Sequence, residues 1–97
     1  MILALLARGE SYGYAIMQEV RKLSSDRIRW TDGMLYPVLH RLERKGLINS
    51  RWVEANSGRR RKYYSLKKQG RSALRQQKES WLTVHNTLAK AWREQHV

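Results

Sequence analysis

Apolar positions along the chain repeat first with a helical period, then briefly with a period of two, then with a helical period again. Ile2, Leu3, Leu5 and Leu6 nearly encircle a first helix over Ile2–Arg8, which Gly9 closes. A helix apolar on all sides is buried on several of them. In so small a chain, that points to help from a second copy. Ser11 is placed to cap a second helix running to about Ser24, with Gly13, Ile16, Val20 and Leu23 inward and Tyr14, Gln18 and Arg21 opposite. A short connection follows, in which Ile28 and Trp30 tuck under the next element. Leu35, Val38, Leu39 and Leu42 then fall at i, i+3, i+4 and i+7 of a third helix over about residues 32–45. Thr31 or Asp32 caps its start, and Pro37, which has no amide hydrogen, is tolerated only near that start. Gly46 supplies the left-handed stop.

Beyond Gly46 the period becomes two. Ile48–Val53 reads as a strand, Glu54–Arg59 as a turn containing Asn56, Ser57 and Gly58, and Arg60–Leu66 as the return strand with Tyr64 and Leu66 inward. From Lys68 to Gln95 there is no proline and one glycine, Gly70, so the spacing predicts one long helix. Leu74, Trp81, Val84, Leu88 and Trp92 share a side of it, which a three-helix core has no room to cover. The expected fold is mainly α with a small β-hairpin, a winged helix-turn-helix followed by one long C-terminal dimerisation helix. Residues 1–66 form the winged-helix part and residues 67–97 the dimerisation helix, together one compact unit.

Charge sharpens this picture. Lys and Arg number 20 against 8 acidic residues, a formal net charge of +12. Self-repulsion of that size favours a polyanionic partner, with nucleic acid first and an anionic membrane surface second. The longest apolar run, Met1–Ala7, falls far short of the roughly 20 residues a membrane span needs. It also lacks the basic lead and small-residue cleavage site of a secretory signal. A cytoplasmic, nucleoid-associated protein is expected, and the absence of cysteine fits a reducing compartment.

The candidate chemistry sits on two elements. The outward face of the third helix carries Gly33, Tyr36, Pro37, His40, Arg41 and Arg44, with no carboxylate at its centre. A helix of this size fits the major groove, where arginine and histidine can address base edges. The hairpin carries Arg59, Arg60, Arg61 and Lys62 in a row, suited to phosphates or a minor groove. Tyr14 is either a surface ring lying on a neighbour or a hydroxyl offered to a phosphate. Catalysis is not expected. His40, His85 and His96 have no cysteine or acidic partner at ligand spacing, and there is no phosphate loop or nucleophile elbow, so neither enzyme activity nor a cofactor is anticipated. Leu3, Leu6, Trp81, Val84, Leu88 and Trp92 are assigned to a dimer interface or to a pocket for a flat apolar ligand. A non-specific RNA- or ribosome-binding protein is the competing reading of the charge.

Leu3–Leu6 and Gly13-Tyr14, the run Gly33 to Glu43 (GMLYPVLHRLE), Gly46-Leu47-Ile48 and Gly58 to Tyr64 (GRRRKYY) together resemble the PadR family of bacterial transcriptional regulators, as do Leu66 and Gly70. The likeness spans residues 2 to about 75, and Glu79-Ser80-Trp81 is similar to the small branch with a single C-terminal helix. The resemblance implies a homodimeric winged-helix repressor that binds a double-stranded operator and, in some members, answers to an aromatic small-molecule effector. It implies DNA-facing roles for Tyr14, Tyr36, Pro37, His40 and Arg59–Lys62. Two residues depart from the family pattern: Met34 stands where a small hydroxyl residue is common, and Lys67 where a threonine usually caps the last helix.

Overall fold

A computed structural model describes residues 1–95; His96 lies outside the described residues. The elements in chain order are α1 (Ile2–Leu6), β1 (Ser11–Tyr12), α2 (Gly13–Leu23), α3 (Asp32–Arg44), β2 (Ile48–Glu54), β3 (Arg60–Leu66) and α4 (Lys68–Gln95). The third helix, the hairpin and the last helix lie where the periodicity puts them.

The core is built where α1, α2 and α3 meet the sheet. Ile2, Leu3, Leu5, Leu6, Ile16, Val20, Leu35, Leu39, Ile48 and Tyr64 make its buried cluster. Leu3 and Leu6, expected at an interface or pocket, are sealed inside this chain instead. α1 is so short that α2, β3 and α4 of the same chain enclose it, which leaves only Met1 and Ala4 open. Leu23 also departs from expectation. It is the last residue of α2 and is 60 % exposed.

Ser11 is not a helix cap. Ser11 and Tyr12 form an edge strand paired antiparallel with Tyr64 and Tyr63, so the hairpin becomes a three-stranded sheet of order β1-β3-β2. Extended Tyr12 takes the N-cap position and α2 begins at Gly13. Ile28 is exposed, whereas Trp30 packs against the core as expected.

α3 ends in a Schellman motif. Gly46, at φ +75, donates its N–H to the Glu43 carbonyl and Leu47 donates to the Leu42 carbonyl, both at 3.0 Å. Leu35 and Leu39 are fully buried, and Val38 and Leu42 pack at the core's margin. Pro37 lies in the second turn, so the carbonyl of exposed Gly33 has no i+4 donor within the helix. The β2–β3 ladder runs from Ile48↔Leu66 to Glu54↔Arg60 and is closed by a turn at Gly58, φ +82.

α4 leaves the body of the molecule. Gly70 is its buried residue and Ala73 and Leu74 touch the core, after which the side chains of the helix are largely exposed; the overall extents are 62 × 30 × 21 Å. Trp81, Val84, Leu88 and Trp92 are each between 58 % and 66 % exposed.

Candidate nucleic-acid interface

The inward stripe of α3 fixes the opposite face toward solvent. Gly33, Tyr36, Pro37, His40, Arg41 and Arg44 are all exposed. Tyr36 is the least open of the large apolar and aromatic side chains there, at 37 %, with its ring centroid 6.4 Å from that of His40. Among the described residues, no carboxylate pairs with Arg41 or Arg44.

In the wing, strand alternation divides the cations between the two sheet faces. Arg60 and Lys62 lie over the Trp52 ring, at 5.1 and 5.9 Å from its centroid, and Arg61 lies over Tyr12 at 4.6 Å. Such contacts are worth about 0.5–1 kcal/mol each at exposed sites, enough to bias the rotamers of long side chains. Lys62 also approaches the Glu43 carboxylate at 3.9 Å. Among the described residues it is the one cation of Arg59–Lys62 with an acidic partner. Glu43 accepts a hydrogen bond from the Ser50 hydroxyl as well, so one carboxylate fastens the end of α3 to the sheet.

Between α3 and the wing runs a groove of about 840 Å³. Tyr14 from α2, Tyr36 and His40 from α3, and Trp52 and Arg59–Lys62 from the wing line it. A shallower concavity of about 580 Å³ continues along Pro37, His40, Glu43 and Arg44. Tyr64 closes the floor of the larger groove. Its hydroxyl is buried without a hydrogen-bond partner among the described residues. Burial first, then the neighbouring Tyr36 hydroxyl and Glu43, push that phenol above its ordinary value of 10.0.

Tyr14 is 62 % exposed, and its hydroxyl accepts a 2.8 Å hydrogen bond from the Gln18 side-chain amide. Its own proton is therefore free to be donated outward, as a phosphate contact requires. Arg51 grips Glu10 in a two-pronged contact through Nε and Nη2, with Nε at 3.1 Å, tying β2 to the segment before β1. The Arg51 hydrogen bond is the main cause that holds the Glu10 carboxyl below its ordinary 4.5.

A separate groove of about 690 Å³ lies where Met1 and Ala4 meet Leu74, Gln77, Lys78, Ser80 and Trp81. The Trp81 ring stacks on His85 at 5.1 Å, with 14° between the planes. Val84, Leu88 and Trp92 lie farther along α4, outside this groove.

The structure thus gathers Tyr14, Tyr36, His40 and Arg59–Lys62 around one groove, with Gly33, Pro37, Arg41 and Arg44 on the adjoining helix face. Sequence reasoning missed Trp52, Tyr12 and Glu43. The signal for Trp52 is its register opposite Lys62, which places ring and cation on one face. Among the described residues no helix is long and apolar enough to cross a membrane, and no cluster of three or more His, Cys, Asp or Glu side chains could hold a metal.

Comparison with known proteins agrees with this geometry. The model of the transcriptional regulator PadR-like family matches residues 2–76. A transcriptional regulator from Clostridium thermocellum superposes with a TM-score of 0.83 at 32 % identity, covering 92 % of this chain and 86 % of that one. A PadR family transcription regulator from Clostridium difficile gives 0.81 at 33 %, covering 92 % and 91 %. An uncharacterized protein of Lysinibacillus sphaericus is 31 % identical over 84 residues, 87 % of this chain and 77 % of that protein.

Proposed function

The chain belongs to the PadR-like family of transcriptional regulators, and from that premise we propose that it is a homodimeric repressor that reads a palindromic operator. That it is a DNA-binding transcription regulator rather than an enzyme follows from the family. The repressor reading assigns roles to its parts. Residues 1–66 bind DNA and residues 67–97 carry dimerisation. α3 enters the major groove with Gly33, Tyr36, Pro37 and His40 deepest and with Arg41 and Arg44 toward flanking phosphates. Arg59–Lys62 follow the backbone or a minor groove, and Tyr14 donates to a phosphate. Two such units joined through α4 address half-sites about one turn, ~34 Å, apart. The protein acts in the cytoplasm, on the nucleoid.

One observation carries this reading. The groove between α3 and the wing collects aromatic donors on one wall and cations, most of them without acidic partners, on the other. A bare electrostatic binder of RNA or ribosomes needs the charge but not the rigid helix face beside it.

A second observation favours an effector. The apolar hollow between Met1, Ala4, Leu74 and Trp81 has the size and flat wall for a planar aromatic molecule. The same α4 stripe would bring a second chain over it, so a ligand there would act on dimer geometry.

Selection of bound duplexes from a random pool tests the proposal. A palindromic consensus preferred by ~10³-fold or more over bulk DNA is expected. A pool that stays random overturns it in favour of the electrostatic binder.

A further inference from the structure

We propose that Gly13 is a positioning residue for sequence reading: its bare backbone seats the Tyr36 ring and sets which edge of that ring faces the groove. The inference rests on the reading above that Tyr36 meets DNA. Nothing in the backbone asks for glycine at this position. Gly13 opens α2 directly after extended Tyr12, and it is not among the glycines with positive φ. As the first residue of α2, after an N-cap at Tyr12, it is not called for by capping or by helix propensity either.

Space is what excludes a side chain. A Cβ built on Gly13 would overlap the Tyr36 hydroxyl and lie 2.9 Å from Cζ and 3.5 Å from Cε1; these are its three nearest atoms, and all belong to Tyr36. The ring reaches from α3 to α2, and its hydroxyl end rests against the first residue of that helix. That contact accounts for Tyr36 being only 37 % exposed while its neighbours on the face are open. Tyr64, on the wing side, lines the same groove, so the hydroxyl of Tyr36 sits where α2, α3 and β3 converge.

The overlapped atoms are the far end of a flexible side chain. A methyl group on Gly13 would displace the ring rather than the backbone. Tyrosine rotamers lie roughly 120° apart, so leaving the seat carries the hydroxyl to a different part of the groove. Sequence preference should therefore change while the fold holds.

Duplex selection and titration with the wild type, Gly13→Ala, Tyr36→Ala and the double variant test this. Gly13→Ala is expected to keep the wild-type melting temperature within a few degrees and to bind the selected duplex about tenfold more weakly, the size of one hydrogen bond. Its selected bases should change at the same positions as those of Tyr36→Ala. In the Tyr36→Ala background, Gly13→Ala should cost less than about twofold, because the coupled partner is gone. An equal loss in both backgrounds, or a wild-type preference in Gly13→Ala, overturns the seat. If Tyr36→Ala itself selects the wild-type duplexes, the DNA-reading role of Tyr36 fails, and the inference with it. Should Gly13→Ala alone not fold, the double variant must fold; if that variant fails as well, the overlap with Tyr36 is not what demands glycine.

Discussion

Gly70 stands in the first turn of α4, packed so closely that a Cβ would overlap the Leu47 carbonyl oxygen and lie 2.6 Å from Leu66 Cδ1. Unlike the tyrosine ring at Gly13, a backbone carbonyl cannot swing aside. Gly70→Ala gains about 1 kcal/mol of helix propensity but meets an overpacking cost of about 1–3 kcal/mol. A net loss of up to about 2 kcal/mol is expected, seen as a lower urea midpoint at unchanged slope. Charged residues give a pH prediction at the same scale. Arg51 holds Glu10 below 4.5, and Arg29 with Arg21 hold Asp26 below 3.8, hydrogen bonding being the larger cause in each case. Both folded pKa values lie under the unfolded ones, so these pairs contribute fully above about pH 4.5 and fade as pH falls through the folded values. Both sites are open to solvent, so the effect is small. Glu10→Gln should flatten the acid limb of melting temperature against pH and leave its neutral side nearly level.

Among the elements, the wing makes the sharpest solution prediction. Arg59, Arg60 and Arg61 have no acidic partner among the described residues and are ready to displace counterions. Replacing Arg59 and Arg60 with alanine should weaken all duplexes and reduce the slope of log affinity against log salt by ~0.9 for each phosphate left unneutralised. An unchanged slope would mean the wing does not touch DNA. Trp52→Ala should act more gently, freeing Arg60 and Lys62 from their shared ring, with a few-fold loss of affinity and an almost unaltered slope. The wing was also among the most legible parts of the sequence, because alternation and turn chemistry are local signals and β3 lies over Arg60–Leu66 as expected. β1 was not legible. Two residues hold no period, and Ser11 looks like a cap until its pairing with Tyr64 is known. For the same reason the uses of Trp52, Tyr12 and Glu43 were hidden, since each depends on which strand or helix lies opposite. Leu3 and Leu6 read as buried in a dimer interface or a ligand pocket from sequence alone, because their own chain's wrapping of α1 is a long-range fact.

For the whole molecule, the open stripe of α4 sets the expectation. Trp81, Val84, Leu88 and Trp92 expose apolar area along the distal half of a helix about 42 Å long. Leu88→Glu should give a monomer by sedimentation, and binding of the full palindrome should fall to that of a single half-site. A variant that remains dimeric would exclude this stripe as the seam. At its other end this arm presses on the reading head. The Leu47 carbonyl accepts the Lys67 N–H at 3.0 Å and abuts Gly70, and Leu47 itself follows directly on the glycine that stops α3. Such an arm is a lever with its fulcrum at Gly70: a tilt of about 5° moves the distal tip by roughly 3 Å over a 1.5 Å rise per residue. In the proposed dimer, that would gear the spacing between two reading heads to the crossing angle of their arms.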